Sequence, residues 1–388
     1  MSKNIILFDP QSRTSLLPLA FTRPVADFRF GIMTIREKWE NAIEGQYSYL
    51  TQDYLKVKYP TIESEDNILI AGNVCPTELL ASEVNALNVG EALFYNDKLI
   101  AFRGDMTSFA NVDNYKVINT AEVTVLSFDK LHDLFMLNGK AMELDYAKLT
   151  DGRTSQPLSS TVTVLGDASS IFIEKGASVE CAILNVKNGP IYIGKDVDVQ
   201  EGSLIRGPFS ACEHSAVNMG AKIYGPTTLG PYVKVGGELN NVIFFGYANK
   251  AHDGFLGNAV IGEWCNLGAG SNASNLKNDY SEAKQWDYAT RRFGRTGLQF
   301  CGLVMGDHSK VGINSMLNTA TVLGVGVNIY GSGFPRNFVS SFNEGGTAGY
   351  AKVGLKKFFT TASIVMGRRS KELTEADKAI YEHLYNQD

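Results

Sequence analysis

Cysteine is scarce in this chain and follows no pattern. The 388 residues include five cysteines, an odd number, widely spaced and without a Cys-x-x-Cys pair. Neither a disulfide framework nor a zinc site built on paired cysteines is expected, and the thiols are predicted to be buried and reduced. The five are Cys75, Cys181, Cys212, Cys265 and Cys301.

Long apolar runs and an excess of positive charge are also missing. No stretch reaches the roughly 18 apolar residues that a membrane-spanning helix needs. The first residues, MSKNIILFDP, are typical of an opening β-strand rather than of a signal peptide. The formal net charge of -5 argues against a surface that binds nucleic acid, although it allows a local cationic pocket for phosphate groups. We therefore expect a cytoplasmic protein that acts on small molecules.

The most regular feature that is present is an aliphatic residue at every sixth position of the C-terminal half. In a parallel β-helix, each strand contributes one inward aliphatic side chain per six residues. A glycine often follows, as at Gly194, Gly236 and Gly306, and is expected to supply backbone freedom at the coil corner. A β-sandwich would instead show a period of two, with turns every eight to twelve residues. The aliphatic series is Ile193, Val199, Ile205, Ala211, Val217, Ile223, Leu229, Val235, Met305, Val311, Leu317, Leu323 and Ile329.

The length predicts more than one domain, because 388 residues exceed what a single core usually serves. Residues 1–150 alternate short apolar strands with helical stretches and end in a connecting helix over 128–149, so we predict an α/β domain there. Turn-forming residues follow, and 151–345 are predicted to form the parallel β-helix, with a helical tail at 346–388. A charged and aromatic segment over 275–299 interrupts the coils and is a candidate binding loop.

The hexad pattern breaks between Gly236 and Val260, and chemistry is expected at this break. The chain there contains Ala251-His252-Asp253-Gly254-Phe255, followed by Ile261-Gly262, then Asn266-Leu267-Gly268-Ala269-Gly270 and the pair Asn275-Leu276. This combination resembles the acyltransferase half of the bifunctional UDP-N-acetylglucosamine pyrophosphorylase/glucosamine-1-phosphate N-acetyltransferase family over residues 225–335. The resemblance implies a left-handed β-helix that takes acetyl-CoA as co-substrate and assembles as a homotrimer.

The resemblance also implies roles for individual residues. His252 matches the catalytic base, and an imidazole suits the removal of a proton from an amine at neutral pH. The plain alternative is a histidine that only forms hydrogen bonds in a turn. Substrate contacts are implied for Phe255, Asn266 and Asn275, with a looser match at Lys277. The pantetheine of coenzyme A would lie along Ala269, Gly312, Ile313 and Gly331.

The tail contains a basic, apolar helix over 352–368. Its cations, with Arg368 and Arg369 at its end, are candidates for binding the phosphates of coenzyme A, because several flexible cations suit a diffuse anion. A solvated helix face is the alternative interpretation.

The N-terminal half resembles the nucleotidyltransferase half of the same family only in part. Where that family has a glycine-rich phosphate loop, the chain has Asp9 to Arg13, and Val25 stands in place of the phosphate-binding lysine. Asn73 replaces the metal-binding aspartate. Arg13 and Arg23 are the candidates for nucleotide phosphates, since guanidinium groups bind phosphate well. If the domain is active it would use UTP or dTTP with Mg²⁺, and its metal ligands cannot be identified.

Three functions stay open. The first is acetyl-CoA-dependent N-acetylation of glucosamine 1-phosphate in the biosynthesis of a UDP-N-acetylglucosamine-type nucleotide sugar, with possible nucleotidyl transfer at the N-terminal domain. The second is an acyltransferase or a thymidylyltransferase-like enzyme that acts on a different sugar 1-phosphate, with only one domain active. The third is a non-catalytic trimeric scaffold. A γ-type carbonic anhydrase shares the hexads, but its zinc needs three convergent histidines, and the five histidines here include no close pair.

Overall fold

The computed structural model describes residues 3–387. Its first part is a mixed sheet made of the strands β1 (Asn4–Phe8), β2 (Gln46–Leu50), β3 (Asn67–Ala71), β4 (Glu91–Tyr95), β5 (Lys98–Gly104) and β6 (Lys116–Asn119). The strand order is β2-β1-β3-β5-β4-β6. β1 is parallel to β2 and β3, whereas β5 is antiparallel to β3 and β4. This is the α/β architecture that the alternating pattern predicts.

Within residues 3–387, six α-helices flank the sheet or follow the coils. Thr34 begins the first with a capping box: its hydroxyl accepts from the Glu37 amide at 3.1 Å, and its own amide donates to the Glu37 carboxylate at 2.6 Å. The helices are α1 (Ile35–Ala42), α2 (Glu78–Asn85), α3 (Met106–Phe109), α4 (Leu131–Thr150), α5 (Leu355–Gly367) and α6 (Glu375–Gln387). We call β1 to β6 with α1 to α4 the α/β unit.

The second part is a β-helix-like solenoid of short parallel strands with three faces. Eighteen residues separate paired positions in regular coils, as between Ile191 and Phe209. Face A contains Ile171–Ile173, Ile191–Ile193, Phe209–Ala211, Thr227–Leu229, Val304–Met305, Val322–Leu323 and Phe338–Val339. Face B contains Ser178–Val179, Asp198–Val199, Ala216–Val217, Lys234–Val235, Asn249–Lys250, Asn266–Leu267, Lys310–Val311, Asn328–Ile329, Asn343–Gly346 and Gly349–Lys352. Face C contains Thr163–Leu165, Ile183–Asn185, Leu204–Arg206, Lys222–Tyr224, Asn272–Ala273 and Met316–Leu317.

Two longer strands, Glu238–Phe244 and Phe255–Ile261, pass from face C onto face A. The chain then leaves the coils between Ala273 and Val304, and within this insertion Lys284–Asp287 and Arg292–Arg295 pair as an antiparallel hairpin. The segment that the sequence marks as a charged loop therefore contains regular structure of its own.

The aliphatic residues at six-residue spacing all belong to one buried core inside the solenoid. The reason expected for the corner glycines is wrong. Gly194, Gly236 and Gly306 do not have a positive φ. A Cβ on them would instead lie 2.7 Å from Ala211 O, 2.5 Å from Ala251 O and 2.8 Å from the Gly324 backbone. Glycine is required there because the adjacent coil comes so close.

Left-handed backbone at the corner between faces A and B is adopted by larger residues. His214, Tyr232, Tyr247, Trp264 and His308 all have φ between 54° and 62°. Their side chains form a ladder from coil to coil, with ring centroids 4.2 Å apart for Tyr247 and Trp264 and 5.4 Å apart for Tyr232 and Tyr247. Ring stacking accompanies the backbone strain at each of these positions.

Face A is covered by the α/β unit. Outward side chains of this face, Ile243, Val260, Val304 and Val322, lie in the same hydrophobic core as the sheet and α4. The tail helices pack at the A–B corner, where Phe358 and Tyr381 contact the ring of His308. Face C has no such cover within the described chain, and the outward side chains Ile183, Leu204 and Tyr224 remain 38%, 45% and 41% exposed.

Two expectations from composition can be compared with the fold. Four of the five cysteines are buried, but Cys181 is exposed, so the expectation of buried thiols is wrong at that position. In the part of the chain that the structure describes, no helix has the length and apolar character required to cross a bilayer.

Candidate functional site

The corner between faces B and C, here called the B–C edge, brings together most of the residues predicted for the solenoid site. His252 lies on this edge, Ala269 lies on the next coil, and Ile313 lies on the coil after it. The amide that follows Ala269 donates to Asp253 O at 2.9 Å, and the Asn314 amide donates to Ala269 O at 2.8 Å. These bonds stack three coils so that the predicted base and the predicted coenzyme A positions form one column.

The column continues to the last coil. The Gly312 amide donates to Ile329 O at 2.8 Å, and Gly331 follows two residues later with φ +98° and open space where a Cβ would be. Ile313 is 72% exposed, which is unusual for a large aliphatic side chain. The edge therefore presents backbone groups and one apolar side chain to solvent, as an extended ligand of mixed polarity requires.

His252 is exposed at the surface of the edge. Within residues 3–387, no hydrogen bond joins its imidazole to another group, so both ring nitrogens are available to a ligand. Its main chain is stabilised from inside the solenoid, because the Lys250 ammonium donates to His252 O at 2.7 Å.

Lys250 is a feature that the sequence analysis missed. It occupies an inward position on face B, in register with Val235, and is only 2% exposed. Its ammonium donates to Gly236 O at 3.0 Å as well as to His252 O. Burial lowers the pKa of Lys250 to about 8, and the nearby Asp253 carboxylate opposes part of that shift. Lys250 thus occupies a position where other coils have an aliphatic residue. Its hydrogen bonds stabilise the corner that contains His252.

A cluster of side-chain amides and one aromatic ring lies on face C next to this edge. The Asn275 amide donates to Asn258 Oδ1 at 2.7 Å, and the Phe255 backbone amide donates to Asn272 Oδ1 at 2.8 Å. A Cβ on Gly257 would lie 2.6 Å from Asn275 Nδ2 and 2.7 Å from Phe255 Cζ. Glycine at this position therefore lets the ring and the amide lie side by side, as a sugar-binding surface requires.

Asn266 is separated from this cluster. It is exposed on face B, where it pairs in register with Asn249 and Lys310. Arg369, at the end of α5, donates to Asn249 Oδ1 at 3.2 Å and thus reaches the same face. Burial and the adjacent Arg368 lower the pKa of Arg369. Of the residues predicted to contact substrate, only Phe255 and Asn275 lie together.

Lys277 lies within the insertion, where its ammonium donates to Ser281 Oγ at 3.2 Å and Glu282 O at 3.0 Å. It lines a cavity of about 570 Å³ between the hairpin and the last coils, together with Lys284 and Arg336. Neither of these two cations is predicted from the sequence, because only the packing of the insertion against the last coil brings them beside Lys277.

The candidate nucleotide residues of the α/β unit are already paired inside the protein. Arg13 is buried, its Nε lies 3.0 Å from Asp9 Oδ2, and its Nη2 donates to the Tyr54 hydroxyl at 3.0 Å. Asp9 Oδ1 accepts from the Val25 amide at 2.8 Å, and Oδ2 accepts from the Thr51 hydroxyl at 2.5 Å. The loop that would wrap a triphosphate is a closed internal network.

Arg23 joins the α/β unit to the solenoid. Its Nη1 lies 3.0 Å from Glu263 Oε1, and its Nη2 contacts Asp307 Oδ2. The Thr22 hydroxyl donates to the same Asp307 oxygen at 2.7 Å, while the Glu263 amide donates to Asp307 Oδ1 at 2.8 Å. The carboxylates of the solenoid raise the pKa of Arg23 well above its ordinary value, although burial alone would lower it.

The residues present do not fit a Mg²⁺ site. Asn73 is buried and donates to Phe128 O at 2.8 Å and Asp129 Oδ1 at 3.1 Å, and both oxygens of Asp9 already accept hydrogen bonds. Among residues 3–387, no group of three or more His, Cys, Asp or Glu side chains could hold a metal ion.

Comparison with known proteins adds the following. No curated protein matches the chain in sequence. A mutant of AntD, an N-acyltransferase from Bacillus cereus crystallised with dTDP-4-amino-4,6-dideoxyglucose and coenzyme A, is among the solved structures that match. It is 16% identical, the match covers 50% of this chain and 81% of that chain, and the TM-score is 0.18, too low to support an argument. Residues 5–154, which span the α/β unit, match the family model described as Sugar nucleotidyl transferase.

Proposed function

We propose that the protein is a coenzyme A-dependent acyltransferase that acetylates the amine of an amino-sugar phosphate at the B–C edge. The observation that carries the proposal is the column formed by His252, Ala269 and Ile313, with the Phe255 and Asn275 cluster beside it. The column joins an imidazole free of internal partners to an exposed backbone track and a polar and aromatic surface. On the family resemblance, the acceptor is glucosamine 1-phosphate and the product feeds the synthesis of a UDP-N-acetylglucosamine-type nucleotide sugar.

In this proposal His252 is the general base. The amine nitrogen attacks the thioester carbonyl carbon, an amide bond forms, and the carbon–sulfur bond breaks. His252 takes the proton that the amine loses and gives it to the departing sulfur of coenzyme A. Lys250 fixes the main chain of His252 from inside the solenoid. The imidazole is thereby positioned while both ring nitrogens stay free to bind substrate.

Coenzyme A would extend along the same edge. Within residues 3–387, the Ala269 and Gly331 amides have no hydrogen-bond partner and would be available to its pantetheine. The Gly312 amide and carbonyl are already bonded to Ile329, Ser271 and Ser315, so Gly312 would offer space only, while Ile313 offers an apolar contact. Arg369 reaches the coil of His252 by donating to Asn249 Oδ1 at 3.2 Å, and together with Arg368 it would hold the phosphates.

We also propose a left-handed hexapeptide-repeat β-helix and a homotrimer. The exposed apolar side chains Ile183, Leu204 and Tyr224 on face C support association, because such a row is what a partner copy would bury. We further propose that 1–150, 151–345 and 346–388 act as units in function.

Nucleotidyl transfer from UTP or dTTP is a second candidate, favoured by the family match of residues 5–154. Against it stand the internal pairing of Asp9, Arg13 and Arg23 and the misfit of the Mg²⁺ site. Our proposal is that the α/β unit supports the solenoid and does not transfer nucleotides.

The test is an assay of the purified protein with acetyl-CoA and a panel of amino-sugar 1-phosphates, followed by free thiol. We expect thiol release with glucosamine 1-phosphate or galactosamine 1-phosphate. Absence of thiol release with every amino sugar would favour the scaffold function. Pyrophosphate release with UTP or dTTP and a sugar 1-phosphate would show that the α/β unit is active.

A further inference from the structure

The insertion builds a cationic cavity that the acyl-transfer proposal does not use. Lys277, Lys284 and Arg336 line it, and they come from three separate places: the start of the insertion, its hairpin and the last coil. None of them forms an ion pair within residues 3–387. Among the described residues, no acidic side chain lines the cavity either. Three clustered cations repel one another unless an anion lies between them.

Nearby acidic groups are committed elsewhere. The Glu282 carboxylate accepts from Arg295 Nε at 2.6 Å and from the Gly297 amide at 2.6 Å. The Lys277 ammonium uses neutral acceptors only, and the Arg336 guanidinium lies over the Tyr350 ring at 5.9 Å. The Glu282 and Asp279 carboxylates act on Lys284 and Lys277 through space, but within residues 3–387 no carboxylate forms an ion pair with any of the three cations.

The walls of the cavity are firmly packed. Phe338 of the last coil stacks on Trp286 of the hairpin with ring centroids 4.1 Å apart, and Phe293 meets Trp286 edge-on at 5.3 Å. These contacts fix the hairpin on the coils, so that the backbone positions from which the cations extend are set before a ligand binds.

The cavity adjoins the amide cluster of face C. Thr319 lines it and forms a hydrogen bond of 3.0 Å with the Ser274 hydroxyl, and Ser274 directly precedes Asn275. A ligand with an anionic group in the cavity can therefore continue past Asn275 and Phe255 toward His252.

We infer that this cavity is the phosphate subsite of the acceptor, formed by Lys277, Lys284 and Arg336. The inference rests on the proposed acyl transfer for the identity of the ligand, but the charge and position of the cavity stand without it. Three cations suit phosphoryl oxygens, which carry about two charges, better than a single carboxylate. The phosphate can belong to a sugar 1-phosphate or to the diphosphate of a nucleotide sugar.

Calorimetric titration of the full chain tests this. The probes are glucosamine 1-phosphate, UDP-glucose, inorganic phosphate and glucosamine. We expect Lys284→Gln and Arg336→Gln each to weaken binding of the better phosphorylated probe at least about tenfold, since each removes a charge-assisted contact. The double variant should weaken it about a hundredfold, with no change in glucosamine binding. Arg292→Gln, an exposed arginine of the same hairpin outside the cavity, is the matched control and should stay within about twofold of wild type.

The probes separate the two sources of phosphate. Tighter binding of glucosamine 1-phosphate assigns the cavity to a sugar 1-phosphate, and tighter binding of UDP-glucose assigns it to a nucleotide sugar. Wild-type affinity in the double variant, with its circular dichroism unchanged, would overturn the inference. If the variants lose phosphate binding while wild type acetylates no amino sugar, the subsite stands and the proposed function fails. His252→Ala should leave phosphate binding unchanged.

Discussion

The two halves of the molecule treat their polar side chains in opposite ways. In the α/β unit, the residues at the candidate nucleotide site are paired with one another or with the solenoid, as Arg23 is with Glu263 and Asp307. Along the B–C edge and in the cationic cavity, His252, Lys284 and Arg336 have no ionic partner within the described chain. The match to the sugar nucleotidyl transferase family model covers residues 5–154. The candidate phosphate-binding side chains of this part are nevertheless already paired within the protein.

The difference shows what each half contributes. A buried guanidinium with two carboxylates at its nitrogens cannot take up a phosphate without leaving those carboxylates uncompensated, which is costly. An exposed imidazole and unneutralised cations lose only water when a ligand binds. The comparison predicts that substitutions in the α/β unit change stability and that substitutions on the solenoid edge change turnover.

The largest expected effect is that of His252→Ala on acetyl transfer. Removal of a general base should lower kcat by about 10² to 10⁴. The thermal midpoint should not change, because the imidazole is exposed and makes no hydrogen bond within the described chain. Thiol release from acetyl-CoA measures the rate. His214→Asn, at the A–B corner, is the control and should retain wild-type activity. Activity of His252→Ala within a few-fold of wild type would make this histidine structural.

Arg23→Met should have the next largest effect, on stability. It leaves the buried Asp307 carboxylate without its cation, which typically costs about 3–5 kcal/mol. Urea denaturation measures the loss. The control is Arg153→Met, which removes an exposed ion pair with Glu174 and should cost less than about 1 kcal/mol. If Arg23→Met were equally mild, the guanidinium would be available to a nucleotide and the contrast between the halves would fail.

The sequence predicts the fold well where local pattern decides it. The strands, the connecting helix and the inward aliphatic column follow from short-range periodicity. The sequence Thr374 to Asp377 also has the local pattern of a capping box, and one forms there with hydrogen bonds of 3.0 and 3.1 Å. The stacking of Ala269 on His252 also follows from the sequence, because their separation of 17 residues is close to one coil. Ile313 follows 44 residues after Ala269, beyond the insertion, so its place in the column is not given by a fixed spacing. The functional roles of these residues remain predictions.

Other features depended on contacts that no local pattern encodes. The inward position of Lys250 could not be predicted, because its coil is shorter than eighteen residues. Lys234 pairs with Asn249, fifteen residues later, so a six-residue count no longer identifies the inward positions there. The cationic cavity could not be predicted from the sequence either, because its walls form only when the insertion folds. Local sequence suggests that Gly236 supplies backbone freedom at a corner. The structure shows that glycine is required there because Ala251 O of the adjacent coil lies too close for a side chain.

Lys250 gives a pH-dependent test of the edge. Burial lowers its pKa in the folded protein to about 8, whereas the unfolded chain keeps its proton to near pH 10.5. Between these values the unfolded state binds more protons, so the stability of wild type should rise by about 2 kcal/mol from pH 8 to pH 10. Denaturation across this range should show the rise in wild type and in Lys234→Met, an exposed lysine of the preceding coil. Lys250→Met should lack it; a rise of equal size there would assign the titration to another group.

An effect of similar size concerns His308 in the ladder of the A–B corner. Burial lowers its pKa to about 3, with Lys310 adding to the shift, and neither ring nitrogen has a hydrogen-bond partner among the described residues. Below pH 6.5 the unfolded chain takes up a proton that the folded ring does not, so stability falls as the pH decreases. Between pH 7 and pH 5 this should account for about 2 kcal/mol.

His308→Phe should remove that part of the acid sensitivity. The ring size is kept, and Phe342, at the same corner two coils further on, already has a similar positive φ of 56°, so the backbone tolerates the change. His214→Phe, at an exposed position of the same ladder, should titrate like wild type. Urea denaturation at the two pH values measures each variant. An equal loss in His308→Phe and wild type would mean that the folded ring accepts a proton, and that the tail helices do not exclude water from the ladder.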